Sequence, residues 1–113
     1  MTRVLIVEGD PIMALDLAEQ LVEEGFVAVG PASNVRQALD LLATEGCDVA
    51  VLDVNLGTET SEAVALELLR RAIPFVRLSG YSSGQHPPQL DSAPLLVKPV
   101  RMSLLVAALR KGL

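Results

Sequence analysis

Short segments dominated by valine, leucine and isoleucine recur along the chain, beginning at residues 4, 27, 49, 75 and 95. Within them apolar residues mostly follow one another without the alternation of apolar and polar side chains that marks a half-exposed strand. Continuous runs are typical of strands that are covered on both faces, as in a parallel sheet. The pattern therefore predicts five buried strands, at residues 4–7, 27–29, 49–52, 75–78 and 95–97.

The stretches after four of these strands show a different period, with apolar residues at the 3.6-residue spacing of a helix. We predict helices over 11–24, from residue 35 to just before Gly46, over 62–71 and over 102–111. Each of the first three is preceded by a residue type that commonly caps a helix, namely Asp10, Asn34 and Ser61.

Residues 79–94 carry no such stripe, because two glycines, three prolines and four serines interrupt them. We predict a mobile loop with at most one helical turn there, so that the fourth helix is short or disordered. Strands that alternate with helices predict an α/β fold in which residues 1–113 form one domain. The compact solution is a doubly wound five-stranded parallel sheet of order 2-1-3-4-5, with its ligand site at the carboxyl ends of strands 1 and 3.

Composition narrows the possible functions. The chain has 113 residues and a net charge of −5, and no basic cluster is longer than Arg70-Arg71, which argues against nucleic-acid binding. Cys47 is the only cysteine, which excludes an internal disulfide and a cysteine-built zinc site. No apolar run approaches the roughly 20 residues of a membrane span. No secretory signal follows Met1, so we expect a cytoplasmic protein without membrane contact.

Polar residues follow four of the strands at the edge where a ligand site is expected. Three carboxylates brought close together repel one another unless a cation intervenes, and oxygen ligands of this kind suit Mg²⁺. A lysine and a hydroxyl beside them would bind an anionic group on a carboxylate. This combination indicates phosphoryl transfer to an aspartate. The residues concerned are Glu8, Asp10, Asp53, Asn55, Ser79 and Lys98.

Four motifs at these strand ends resemble the receiver domains of bacterial response regulators, CheY-like domains of flavodoxin-like (βα)5 fold. The resemblance covers essentially the whole chain. It implies that Asp53 is the phosphoacceptor, that Ser79 contacts the phosphoryl group and that Lys98 binds it. The motifs are V-L-I-V-E-G-D-P at 4–11, V-L-D-V-N-L at 51–56, L-S-G at 78–80 and V-K-P at 97–99.

The same resemblance implies a Mg²⁺ site formed by Glu8, Asp53 and the backbone carbonyl of Asn55, to which we add Asp10 as a candidate ligand. The stretch at 73–81 also looks like the P-F-x-F-A-T-G-Y signature of a stand-alone subgroup of receivers. The family usually has an aromatic switch residue on strand 5, where this chain has leucine. Tyr81 is the only tyrosine that could replace it, and we expect it to act as the switch.

One departure concerns the metal. Receivers usually place two adjacent acids after strand 1, whereas here Glu8 is followed by Gly9. We therefore expect Mg²⁺ binding to be weak. Asp10 could act as a ligand, cap the first helix, or do both. Arg77 is a charge within an apolar strand, placed either near the exposed rim of the sheet or beside an acid.

The resemblance implies a single-domain response regulator that takes its phosphoryl group from a sensor histidine kinase or phosphotransfer protein. Phosphorylation would change contacts with a downstream protein through the 79–94 loop. Such a domain is not an enzyme beyond slow self-catalysed phosphorylation and dephosphorylation. The main alternative is a degenerate pseudo-receiver that acts through protein contacts alone. A flavoprotein or an aspartate-dependent phosphatase is disfavoured, because the loop after strand 1 lacks a hydroxyl-rich phosphate cradle and no second carboxylate follows Asp53 at 54–55.

Overall fold

A computed structural model describes residues 1–80, 88–90 and 92–113. Five strands and four α-helices alternate along the described chain, with a short 3₁₀ turn between the last two strands. The strands are β1 (Arg3–Val7), β2 (Val27–Ala32), β3 (Val49–Asp53), β4 (Phe75–Ser79) and β5 (Leu95–Val97). The helices are α1 (Pro11–Glu23), α2 (Val35–Thr44), α3 (Glu62–Arg70) and α4 (Met102–Lys111).

The strands form one parallel sheet in the order β2-β1-β3-β4-β5. The predicted fold class and strand order are thereby confirmed. Boundaries differ by small amounts. β2 runs to Ala32, three residues further than predicted, and β3 and β4 each extend by one residue to include Asp53 and Ser79. Two presumed loop residues of the site are thus the final residues of strands, which fixes their backbones.

Successive residues of the central strands point to opposite faces of the sheet, and both faces are covered. On β1, Leu5 and Val7 pack in a cluster with residues of α2 and α3, while Val4 and Ile6 pack in a second cluster with residues of α1 and α4. All four side chains are at most 1% exposed. This arrangement explains why the strand segments are continuously apolar.

The predicted caps of the first two helices are present. Asp10 Oδ1 accepts hydrogen bonds from the backbone nitrogens of Ile12 and Met13 at 2.9 and 3.3 Å. Asn34 Oδ1 accepts one from the backbone nitrogen of Gln37 at 2.8 Å. The third prediction is wrong, because the Ser61 side chain makes no capping bond. Its backbone, with ψ of 11°, is not in the extended conformation from which a capping side chain reaches the first turn.

Between β4 and β5 the described residues include one 3₁₀ turn, Pro88–Leu90. Arg77 is 6% exposed, so its place in the interior rules out the exposed-rim interpretation. Its guanidinium donates to the carbonyl oxygen of Ala93 at 2.9 Å, which ties β4 to the chain that leads into β5. The rest of the predicted loop, at 81–87 and 91, lies outside the described residues.

None of the helices in the described ranges is long and apolar enough to cross a membrane.

Candidate functional site

The carboxyl ends of β1, β3, β4 and the chain that follows β5 surround an open cleft of about 680 Å³. The cleft is formed because parallel strands all end at the same edge of the sheet. All six residues predicted for the site line it, together with the turn after β1 and the loop after β3. They are Glu8, Asp10, Asp53, Asn55, Ser79 and Lys98.

Asp53 lies at the centre of this edge, as the last residue of the middle strand β3. It is only 6% exposed, and the backbone nitrogen of Asn55 lies 3.4 Å from its Oδ1. Glu8 follows β1 and is 3% exposed. Its Oε2 accepts a hydrogen bond from the backbone nitrogen of Asp10 at 3.2 Å. Two acidic side chains are therefore buried at adjacent strand ends.

Lys98 joins these two acids. Its Nζ donates to Glu8 Oε1 and to Asp53 Oδ2, each at 2.9 Å. Its backbone nitrogen donates to the carbonyl oxygen of Ser79 at 2.8 Å, which holds the backbone of Lys98 against the end of β4. A single ammonium thus serves two carboxyl groups, and the cluster carries a net negative charge when both are ionised.

The electrostatics follow from burial and from this shared lysine. Burial, together with a hydrogen bond shared with Glu8, raises the pKa of Asp53 to about 6, against the opposing effect of Lys98. Burial also acts to raise the pKa of Glu8, but its hydrogen bonds with Asp53 and Lys98 outweigh burial and lower it. Burial would lower the pKa of Lys98, yet its bonds to both carboxyls raise it. The acid pair therefore holds one proton until the pH approaches neutrality, and it favours an additional cation.

Asp10 lies on the rim of the cleft with its carboxylate turned to the first turn of α1. Within the described ranges no three acidic, histidine or cysteine side chains are close enough together to hold a metal ion. Asp10 is thus a helix cap in this structure, and its role as a metal ligand stays a prediction.

The capping role has a measurable consequence. We expect Asp10→Ala to lower the free energy of unfolding by about 1 kcal/mol, because the amides of Ile12 and Met13 lose their acceptor. Urea denaturation of Asn34→Ala, the matched cap of α2 away from the cleft, should show a similar loss. An Asp10→Ala protein as stable as the wild type would contradict the capping role. If Asp10 also binds metal, only Asp10→Ala should weaken the response to Mg²⁺.

The other oxygen ligands predicted for the site suit Mg²⁺. The ion commonly binds proteins through one or two carboxylates and keeps several waters. Glu8 and Asp53 supply two carboxyl groups that share one lysine, Asn55 lines the same cleft, and the cleft is open. Burial, together with the neighbouring Glu8, raises the pKa of Asp53, and a divalent cation bound beside the two acids would favour their ionised forms.

Gly9 lies in close contact with the loop after β3. A Cβ atom at residue 9 would lie 3.0 Å from the carbonyl oxygen of Leu56 and 3.2 Å from its carbonyl carbon and Cα. The departure from the family pattern at this position is therefore also a steric feature. Sequence reasoning did not identify Leu56 as part of the site, and only the turn-forming Asn55 and Gly57 around it hinted at a tight loop.

Ser79 lies on the rim at the end of β4, as predicted. Tyr81, the predicted switch residue, lies outside the described residues.

A second cavity of about 580 Å³ opens at the opposite, amino-terminal edge of the sheet. Its lining is mainly apolar, and among the described residues that line it only Lys111 is charged. Of these two cavities, the one at the carboxyl edge carries the acidic side chains and the lysine of the predicted site.

Comparison with known proteins agrees with this geometry. The model of the response regulator receiver domain family matches residues 4–110. Transcriptional regulatory protein PdtaR from Mycobacterium tuberculosis is 32% identical over 111 residues, which cover 95% of this chain and 54% of that protein. The chain thus spans about half the length of the curated relatives it matches.

Several solved structures share the whole fold. The response regulator TrrA from Thermotoga maritima, in complex with Mg²⁺-BeF, has a TM-score of 0.86 and 26% identity, with all of both chains covered. TrrA in complex with the histidine kinase ThkA has a TM-score of 0.84 and 25% identity, covering 100% of this chain and 99% of that one. SdrG from Sphingomonas melonis Fr1 has a TM-score of 0.79 and 37% identity, with 97% of each chain covered.

Proposed function

Because the chain belongs to the response regulator receiver domain family, we propose that it accepts a phosphoryl group on Asp53 from a phosphohistidine of a sensor histidine kinase or phosphotransfer protein. The observation that carries the proposal is the position of Lys98 Nζ, 2.9 Å from both Glu8 and Asp53 at the end of the central strand. The complexes of TrrA with Mg²⁺-BeF and with a histidine kinase support a metal and a kinase partner by analogy.

The Asp53 carboxylate is the nucleophile. With a pKa of about 6 it is largely ionised above pH 7, as attack requires. An Asp53 oxygen forms a bond to phosphorus while the bond from phosphorus to the histidine nitrogen of the donor breaks, and that nitrogen keeps the electron pair and takes a proton. Because Asp53 is buried except toward the cleft, the donor has to approach from that side.

The other residues hold the transferred group. Lys98 lies within hydrogen-bond distance of the attacking carboxylate and is placed to bind a phosphoryl oxygen, while Glu8 keeps the ammonium oriented. The hydroxyl of Ser79 on the rim would donate a hydrogen bond to another phosphoryl oxygen. Mg²⁺, when bound, supplies positive charge against the phosphoryl oxygens, and Glu8, Asp53 and the carbonyl of Asn55 would hold it.

New contacts of Ser79 and Lys98 with the acyl phosphate would bias two arrangements of the segment that begins at Ser79. The hydrogen bond from the backbone nitrogen of Lys98 to the carbonyl oxygen of Ser79 joins the two residues, so a shift of one displaces the other. We propose that residues 79–94 change their contacts with a downstream protein in this way. The role is that of a cytoplasmic signalling domain and not of an enzyme with multiple turnovers, and neither nucleic acid nor membrane is its direct partner.

Phosphorylation by a small phosphodonor such as acetyl phosphate tests the proposal. In Mg²⁺ the wild-type protein should gain the mass of one phosphoryl group, and Asp53→Asn should gain none. Asp48→Asn is the matched control, because this aspartate lies at the opposite end of β3 with its carboxylate bonded to the backbone nitrogen of Arg3. An unmodified wild type, or equal modification of Asp53→Asn, would show the proposal to be wrong.

A second function, that of a pseudo-receiver acting without phosphate, is favoured by Gly9 and by the absence of a third metal-binding side chain from the described part of the site. Titration with Mg²⁺ followed by NMR separates the two possibilities. A phosphoacceptor should show specific shifts around Asp53 that saturate, whereas a pseudo-receiver should show none.

A further inference from the structure

The loop after β3 forms a tight hairpin at residues 55–60, which we call the 55–60 hairpin. An isolated antiparallel bridge pairs Asn55 with Thr60, and the backbone nitrogen of Leu56 donates to the carbonyl oxygen of Glu59 at 2.9 Å. Asn55 Oδ1 accepts from the backbone nitrogen of Gly57 at 2.8 Å, where a φ of 96° favours glycine. These bonds make the hairpin one unit, so a displacement of one residue displaces its neighbours.

Both sides of the hairpin are anchored. At its base the backbone nitrogen of Ser61 donates to the carbonyl oxygen of Val54 at 3.0 Å. At its outer side Glu59 Oε2 accepts from the backbone nitrogen of Val35, in the first turn of α2, at 3.0 Å. The hairpin therefore has a defined position between the cleft and α2.

Gly9 lies against the third side. A Cβ atom there would approach the Leu56 carbonyl oxygen to 3.0 Å, a distance at which the neighbouring atom has to shift by a few tenths of an ångström. The atoms that would have to shift belong to the backbone of an anchored hairpin and not to the end of a flexible side chain. A carboxylate at residue 9 would also bring negative charge toward a carbonyl oxygen.

We propose that Gly9 is a positioning residue: by leaving room for Leu56, it holds the 55–60 hairpin where Asn55 lies beside Asp53. This inference rests on the proposed function, because the position matters when the Asn55 carbonyl meets Mg²⁺. A side chain at residue 9 displaces the hairpin before it can add a ligand. Gly9 thus fits the position of the 55–60 hairpin in this protein. Replacing it with an acid does not produce a site that binds Mg²⁺ more tightly.

The contact most sensitive to such a displacement joins the hairpin to the phosphoacceptor. The backbone nitrogen of Asn55 donates to Asp53 Oδ1 at 3.4 Å, which is long for a hydrogen bond of this kind. A shift that lengthens this distance by a few tenths of an ångström is therefore enough to break it. The Asn55 carbonyl belongs to the same hairpin and would move with it.

Amide hydrogen exchange of the metal-free protein tests the hairpin directly. Gly9→Ala adds one methyl group and no charge, and it should speed exchange of the Leu56 and Ser61 amides by about tenfold relative to a core amide such as Val51. Gly80→Ala is the matched control, because a Cβ on this rim glycine meets no atom of the described residues within 4 Å. Hairpin exchange that is unchanged in Gly9→Ala, or equally faster in Gly80→Ala, would overturn the inference.

Mg²⁺ titration by NMR provides the second readout. Gly9→Ala should bind Mg²⁺ several-fold more weakly than the wild type, and Gly9→Asp should bind no more tightly than the wild type. Tighter binding by Gly9→Asp with an unmoved hairpin would overturn the inference. A wild type that does not respond to Mg²⁺ would instead contradict the proposed function, while the exchange experiment would still decide whether Gly9 positions the hairpin.

If Gly9→Ala loosens the whole protein, Glu59→Ala separates the causes. This change removes the outer anchor on Val35 and lets the hairpin move. In the Glu59→Ala background, the added effect of Gly9→Ala on hairpin exchange should be smaller than in the wild type. Equal effects in both backgrounds would contradict a steric action of residue 9 on the hairpin.

Discussion

Lys98→Met should abolish detectable phosphorylation of Asp53 and lower the free energy of unfolding by about 2 kcal/mol at pH 7. The lysine donates to two buried carboxyls, so its loss leaves Glu8 and Asp53 without a counter-charge. The cost is less than for a fully enclosed ion pair, because the lysine side chain is 21% exposed and the acids can take up a proton. The attacking carboxylate also loses the ammonium that would bind the phosphoryl group.

The pH dependence gives this prediction a sign. Without Lys98 the pKa of the acid pair rises, so the penalty should be small at pH 5, where the pair carries a proton, and larger at pH 8. Lys111→Met is the matched control, since this second lysine is exposed at the end of α4. The Lys111→Met protein should be phosphorylated normally, and its free energy of unfolding should stay within about 0.5 kcal/mol of the wild-type value. Lys98→Arg should recover part of the stability, and full activity of Lys98→Met would contradict the assigned role.

Asp53→Asn should stabilise the metal-free protein by about 1–2 kcal/mol at pH 7–8, an increase of roughly 5–10 °C in melting temperature. Burial raises the pKa of Asp53 from 3.8 to about 6 in the folded state. For an acid whose pKa is raised by folding, the associated stability is full below the unfolded value and is lost as the pH rises through the folded one. The lowered pKa of Glu8 acts in the opposite direction, which keeps the net effect below the full shift of Asp53.

The difference between Asp53→Asn and the wild type should therefore grow from about pH 4 to pH 7 and then level off. Thermal unfolding in chelator at a series of pH values measures it, with the exposed Asp40→Asn as control. Mg²⁺ should reverse the order, because a cation relieves the repulsion only where both carboxylates are present. A difference that does not vary with pH would contradict the shared proton.

How far the sequence predicts this molecule depends on the range of each interaction. Strands and helices were predicted well, because periodicity is a local property and both faces of the sheet are covered. The caps Asp10 and Asn34 were recognised from neighbouring residues for the same reason. Ser61 was predicted as a cap in the same way, and that prediction is wrong, because the loop before α3 brings Ser61 to the helix in another backbone conformation.

The site shows the same division. Strand ends predicted which side chains share the cleft, because all parallel strands finish at one edge. The sequence could not predict that Lys98 bonds Glu8, a residue 90 positions away, as closely as it bonds Asp53. That pairing depends on the side-chain reach and burial that only the folded sheet defines. Burial and the neighbouring Glu8 raise the pKa of Asp53 against the effect of Lys98, whereas the hydrogen bonds to Asp53 and Lys98 lower the pKa of Glu8 despite its burial.

The sequence alone therefore determined the order of elements, the edge that carries the chemistry, and a net charge of −5 that includes Glu8, Asp10 and Asp53. Tertiary structure decided how those three acids differ. Asp10 caps a helix at the rim, whereas Glu8 and Asp53 are buried beside one lysine. It also showed that the backbone of Leu56 lies close to Gly9, so that a Cβ atom at residue 9 would be in tight contact with it. Distances between residues far apart in the chain are set by packing, and no local pattern contains them.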